Sequence, residues 1–101
     1  MKRALFALFA AATLSTPALA DQALAQSKNC MACHAVDKKL VGPGFKEIAK
    51  KYASDKSAAD KLADKVIKGG SGAWGQVPMP ANPQVSAAES KKLVAWILAQ
   101  K

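Results

Sequence analysis

The chain has 101 residues, half of them hydrophobic, and its 15 Lys and Arg residues outnumber seven Asp and Glu to give a net charge of +8. This length suits one small domain, and two cysteines are too few for a disulfide framework. Nearly all the positive charge comes from scattered lysines, which cannot form the paired hydrogen bonds that arginine makes with phosphate. This charge pattern argues against a nucleic-acid partner and favours an acidic protein partner.

The first 20 residues have the pattern of a cleaved secretory signal. Two basic residues precede an apolar run, and Ala18-Leu19-Ala20 forms a small-x-small cleavage site. The run is shorter than the ~20 residues that span a bilayer. We therefore predict a signal peptide over residues 1–20 and a single domain over residues 21–101, with no stable membrane insertion after cleavage. The alternative is an uncleaved anchor.

The first predicted helix, over residues 22–32, leads into Cys30-Met-Ala-Cys-His34. A C-x-x-C-H run is typical of a c-type haem attachment site. On a helix the two cysteines share one face, so both thiols can reach the vinyl groups of one porphyrin, and His34 can ligate the iron. The alternatives are weaker. A redox dithiol is usually found in a βαβ context, which is not predicted here. A structural zinc site would need a fourth ligand. A disulfide that closes a loop of only four residues would add little stability.

Three more helices are predicted after the motif, because apolar residues recur at helical spacing and no strand alternation is found. Their stripes are Phe45, Ile48, Ala49 and Tyr52; Leu62, Ala63, Val66 and Ile67; and Leu93, Trp96 and Ile97. The second of these helices spans residues 57–68 and ends at Gly69-Gly70. The last begins at a capping box formed by Ser86 and Glu89.

The loop over residues 69–83 contains four glycines and three prolines, and a long ordered loop in a small domain is usually functional. His34 is the only histidine, so a second axial ligand from this chain must be another residue type. Met79 lies between two prolines that fix its backbone, and its thioether is a soft ligand for haem iron. We predict Met79 as that ligand. The alternative is that it only packs in the core or on the ring.

Taken together, these residues resemble a small class I c-type cytochrome, most closely the bacterial cytochrome c-551/c-552 group, also called cytochrome c8. The resemblance covers residues 21–101. The matching stretches are Cys30–His34, Val41–Gly44, Lys68–Gly75, Val77–Pro80 and Trp96-Ile-Leu. It implies an all-α fold in which four helices wrap around one covalently attached haem and leave one haem edge exposed.

The resemblance also implies roles for four residues around the haem. Pro43 would accept a hydrogen bond from Nδ1 of His34, which orients the imidazole. Trp74 would hydrogen-bond a haem propionate. Lys65 stands where some members have an arginine with the same role, and it offers a point charge in place of a fork. Asn82 would hydrogen-bond near the sulfur of the ligating methionine.

The leading functional hypothesis is a soluble one-electron carrier that uses haem c, with its iron held between His34 and Met79. Because haem attachment is extracytoplasmic in the bacterial families that the chain resembles, we place it in the periplasm. It would act as a monomer and meet redox partners with acidic docking surfaces, with Lys28, Lys38 and Lys39 as candidate rim residues. The alternatives are a ligand-binding sensor or small haem enzyme with an open or labile distal site, and a cytochrome subunit of a larger oxidoreductase.

Overall fold

The computed structural model describes the backbone of residues 17–101 and the side chains of residues 21–101. The predicted signal therefore lies outside the described residues, apart from the backbone of its last four. The elements are α1 (Pro17–Ser27), a 3₁₀ turn (Cys30–Ala32), α2 (Phe45–Lys51), α3 (Ala58–Lys68) and α4 (Ala87–Leu98). The predicted all-α fold with four helices is confirmed. The longest of these helices has 12 residues, and from residue 17 onward none has the length and hydrophobicity to cross a bilayer.

The predicted helix over residues 22–32 is wrong at both ends. α1 begins at Pro17 and ends at Ser27, and a separate 3₁₀ turn carries the first part of the motif. The break occurs at Asn29, whose φ of 64° and ψ of 18° place it in the left-handed region. Asparagine enters this region more readily than most residues, and a single left-handed residue cannot continue a right-handed helix.

α4 is the helix on which the others pack, since it contacts α1, α2 and α3. It begins at the predicted capping box. The Ser86 hydroxyl accepts from the Glu89 N–H at 3.1 Å, and the Ser86 N–H donates to Glu89 Oε1 at 3.0 Å. Further along, the buried Ser90 hydroxyl donates to the carbonyl oxygen of Ala63 at 2.6 Å, which ties α4 to α3.

The start of α2 is the point at which the core meets the loop that follows the motif. Phe45, Ile48 and Ala49 are buried, as their spacing predicts. Phe45 is only 1% exposed, and its ring meets Trp96 of α4 edge to face, with centroids 5.3 Å apart. The residues just before Phe45 are thereby fixed relative to the centre of the fold.

Candidate functional site

A cavity of about 280 Å³ lies between the C-x-x-C-H motif, the loop over residues 69–83 and apolar side chains of α2, α3 and α4. Seven of the eight predicted site residues line it: Cys30, Cys33, His34, Pro43, Lys65, Trp74 and Met79. Asn82 is not among the lining residues. The fold therefore brings together residues that are up to 49 positions apart in the chain, from Cys30 to Met79.

The 3₁₀ turn begins at Cys30 and is capped by Cys33, and both cysteines line the cavity. Residues three apart in this turn are eclipsed, a closer alignment than an α-helix gives. The N–H of Cys33 bonds to the Cys30 carbonyl at 3.3 Å, and the N–H of His34 bonds to the same oxygen at 3.0 Å. Both thiols are free and half-buried. Burial raises the pKa of the Cys30 thiol, partly offset by a backbone hydrogen bond.

His34 is held from three directions. Its Nδ1 lies 2.7 Å from the carbonyl oxygen of Pro43, and because a carbonyl only accepts, Nδ1 donates the proton of this hydrogen bond. The ring stacks on Phe45 with centroids 5.2 Å apart and planes 23° apart. A Cβ on Gly42 would lie 2.5 Å from Cε1 of His34, so only glycine fits beside this ring.

Met79 is held through its backbone. Its N–H donates to the Gly70 carbonyl at 2.7 Å, and its carbonyl accepts from the Gly70 N–H at 3.0 Å. The preceding Gly69 has a φ of 73°, and a Cβ there would lie 2.5 Å from the Met79 carbonyl oxygen. Met31, the other methionine in residues 21–101, packs against the core and does not line the cavity. The structure therefore brings one thioether, that of Met79, to the cavity that His34 lines.

Lys65 and Trp74 bring polar groups to the same cavity. The stem of Lys65 passes over Gly70, where a Cβ would lie 3.3 Å from Cε. Within residues 21–101 the Lys65 ammonium makes no hydrogen bond or ion pair to protein, and the Trp74 indole N–H has no protein acceptor. Both donors are therefore available to an acidic group bound in the cavity.

Asn82 anchors the end of the loop. Its Nδ2 donates to the carbonyl oxygens of Val66 at 2.9 Å and Pro80 at 3.2 Å, and its Oδ1 accepts from Gln84 at 3.1 Å. Its backbone N–H donates to the Ile67 carbonyl at 3.0 Å. These contacts use both amide hydrogens, so the structure does not bring a donor of Asn82 to the Met79 sulfur.

The lining of the cavity fits a covalently attached haem. Large hydrophobic side chains are exposed at four described positions, and three of them line this cavity: Val41 at 57%, Trp74 at 39% and Val77 at 65%. Apolar surface of this kind suits a flat, largely apolar ligand. Two thiols, an imidazole nitrogen and a thioether are also the groups that bind haem. A zinc site is not supported, since no group of three His, Cys, Asp or Glu side chains converges within the described part of the chain.

Sequence reasoning missed the two glycines that allow these arrangements. Gly42 makes room for the His34 ring, and Gly69 makes room for the Met79 carbonyl. Both lie in stretches that predict a turn and a helix end, but a turn signal does not reveal which distant atom will approach the glycine.

Known proteins resemble this chain over most of its length. The family profile described as Cytochrome c matches residues 19–101. The chain is 52% identical over 90 residues to cytochrome c-551 of Allochromatium vinosum, covering 89% of this chain and 96% of the relative. It is 50% identical over 103 aligned residues to cytochrome c-552 of Nitrosomonas europaea, with full coverage of both. The crystal structure of wild-type Nitrosomonas europaea cytochrome c552 matches with a TM-score of 0.77 at 52% identity, covering 79% of this chain and 99% of that one.

Proposed function

Since this chain belongs to the cytochrome c family and is a c-type electron carrier of the c-551/c-552 group, we propose that it is a soluble periplasmic one-electron carrier with His34 and Met79 as axial ligands. Members of this family bind haem c covalently, and the chain is an electron-transfer protein, not an enzyme. The C-x-x-C-H motif assigns the two thioether bonds to Cys30 and Cys33.

One observation carries the proposed ligation: Met79 lines the same cavity as His34, whereas Met31 does not. The hydrogen bond from Nδ1 to Pro43 orients the His34 ring so that Nε2 is the nitrogen free to bind a metal, and it raises the basicity of Nε2. When bound, the haem iron supplies the one-electron chemistry, and methionine ligation raises its reduction potential. The paired hydrogen bonds to Gly70 hold Met79 in place.

Two further residues are proposed to bind the acidic periphery of the haem. Lys65 and Trp74 line the cavity with donors that have no acceptor in residues 21–101, which suits them to the propionates. Asn82 is proposed to act on the methionine indirectly, because its amide ties the end of the loop to Val66 and Pro80.

The protein is proposed to act as a monomer that meets acidic redox partners at the exposed side of the cavity. Lys38 and Lys39 are exposed, and Lys39 also lines the cavity. Lys28 is a weaker candidate for docking than its position beside the motif predicts. Its ammonium donates to the Gln84 carbonyl at 3.1 Å and lies 3.3 Å from Glu89 Oε2.

The proposed processing has a direct test in the mass of the exported protein. The family match that begins at residue 19 supports a domain starting near Asp21. We expect a periplasmic protein that starts at Asp21 and carries the mass of one haem that survives acid extraction. A mass equal to that of the bare polypeptide would contradict covalent attachment.

The proposed ligation is tested by comparing Met79→Ala with Met31→Leu. Met79→Ala should keep its covalent haem, bind carbon monoxide or cyanide readily and have a lower reduction potential, because the thioether is lost. Met31→Leu should behave as wild type, since Met31 does not line the cavity. Wild-type ligand access and potential in Met79→Ala would show that Met79 is not the ligand.

A further inference from the structure

The most exposed part of the site is the loop tip, which we define as residues 71–78, where every residue is exposed. Within it, the Gly72 N–H donates to the Gly75 carbonyl at 2.9 Å and closes a small turn. Below it, the hydrogen-bonded pair of Gly70 and Met79 closes the base of the loop. The tip carries Trp74, so its position decides where the indole N–H is presented.

A single hydrogen bond joins the loop tip to the rest of the described chain. The ammonium of Lys51, the last residue of α2, donates to the Ala73 carbonyl at 3.0 Å. The same ammonium lies 4.4 Å from the centroid of the Trp74 ring, within the range of a cation–π interaction. One cation therefore holds the backbone of one tip residue and the side chain of the next.

The backbone on either side of this contact gives little support of its own. Gly72 and Gly75 have φ values of 94° and 115°, and a Cβ at either would meet nothing within 4 Å. Glycine has the widest choice of backbone conformations, so the segment between these two can reorient at low cost once its anchor is lost. The anchor lies on a well-fixed element, because α2 begins at the buried Phe45 that stacks on His34.

We propose that Lys51 is a positioning residue that holds Trp74 at the cavity by tethering the loop tip to α2. The proposal rests on the proposed haem site in one respect, the role of Trp74 toward a propionate. The tether is defined by protein contacts alone. α2 then supports both sides of the cavity, with Phe45 behind His34 at its start and Lys51 under Trp74 at its end.

Neighbouring residues on α2 supply a matched control. Lys50 is also exposed, but it makes no hydrogen bond, ion pair or cation–π contact within residues 21–101. Lys50→Met and Lys51→Met remove the same charge from the same helix, and only the second removes the tether. Lys51→Arg keeps the cation and the donors, so it should restore what methionine loses.

The test is hydrogen exchange in the folded holoprotein, followed by NMR at the Gly72 amide, which donates to the Gly75 carbonyl, and at the Trp74 indole N–H, which is proposed to donate to a haem propionate. In Lys51→Met we expect exchange there to be roughly fivefold faster, the size of one exposed cation–π contact with its hydrogen bond. Exchange in α4 should not change. Lys50→Met should match wild type, and Lys51→Arg should recover most of the protection.

Equal exchange at the loop tip in Lys50→Met and Lys51→Met would overturn the proposal, and so would a failure of Lys51→Arg to restore protection. These outcomes are distinguishable from failure of the proposed ligation. That failure would appear in Met79→Ala as unchanged ligand access, whatever the exchange at the tip.

Discussion

The His34 wall of the cavity (residues 30–45) is braced by hydrogen bonds within itself and joined to the core through Phe45, whereas the Met79 loop (residues 69–83) is tied near its two ends and through Lys51. In the His34 wall, the N–H of Gly42 bonds to the Cys33 carbonyl at 2.8 Å and the N–H of Phe45 bonds to the Ala35 carbonyl at 2.9 Å. Phe45 then joins the wall to the core. In the Met79 loop, residues 71–78 are all exposed.

This difference separates the two proposed ligands. His34 is oriented by contacts of its side chain with Pro43, Phe45 and Gly42. Met79 depends on a pair of backbone hydrogen bonds at the base of an exposed loop. Segments with few buried contacts open at lower free energy than the core, so the methionine side should open before the histidine side.

The largest expected effect comes from removing the haem, which the His34 wall and the Met79 loop are both proposed to hold. Cys30→Ala combined with Cys33→Ala should abolish covalent haem attachment and most of the far-UV helical signal. The apolar lining of the cavity would then be exposed to water, and a domain this small buries too little other apolar surface to stay folded. Circular dichroism and mass spectrometry measure both effects. A double variant that remains helical and unfolds cooperatively would refute this.

Gly42→Ala should damage the His34 wall severely. The new Cβ would lie 2.5 Å from Cε1 and 2.9 Å from Nδ1 of His34, so the ring must move and lose its bond to Pro43. Gly70→Ala is the control in the Met79 loop, since the new Cβ would meet only the flexible side chain of Lys65, at 3.3 Å. We expect denaturant unfolding to show a loss of about 3 kcal/mol for Gly42→Ala and under about 1 kcal/mol for Gly70→Ala. Equal losses would mean that the His34 ring is not confined.

Gly69→Ala and Gly72→Ala separate steric contact from backbone strain in the Met79 loop. Both glycines have positive φ, so each substitution should cost about 1 to 2 kcal/mol of strain. Only at Gly69 would the Cβ also meet the Met79 carbonyl, at 2.5 Å. On heating, the near-infrared band that reports methionine–iron ligation should therefore disappear at a lower temperature in Gly69→Ala than in Gly72→Ala. If the band melts alike in both, the close approach at Gly69 does not position Met79.

The smallest effects are expected at the lysines beside the motif. Lys39 lies at the rim of the His34 wall, so Lys39→Gln should slow electron exchange with an acidic partner severalfold at low salt, and the effect should fade between roughly 0.01 and 0.15 M ionic strength. Lys28→Gln should change this rate less and lower stability slightly, because it breaks the contacts with Glu89 and Gln84. Stopped-flow rates across ionic strength measure the difference. A larger rate effect at Lys28 would contradict it.

Features set by neighbouring residues were predictable from the sequence. The apolar spacing from Phe45, the helix end at Gly69 and the capping box at Ser86 all depend on residues within a few positions of one another. The C-x-x-C-H motif is equally local. Met79 is predictable by elimination, because one histidine and three methionines leave few choices of axial ligand.

Features set by tertiary contacts were not predictable. Asn29 ends α1 by adopting one of several conformations open to asparagine, and no neighbour in the sequence signals which. Lys51 contacts a loop 22 residues away, and nothing in the sequence distinguishes it from Lys50. The acceptors of the Asn82 amide likewise follow from where the end of α3 lies against the loop.

The most direct test of the central claim is the chemical shift of the methionine methyl groups in the reduced holoprotein. Residues 21–101 contain two methionines, so selective ¹³C-methyl labelling gives two signals that Met79→Leu and Met31→Leu assign. A methyl group that lies over a haem ring is shifted far upfield. We predict that one signal is shifted in this way and that it belongs to Met79. Two signals at ordinary positions, or a shifted signal that belongs to Met31, would contradict the account.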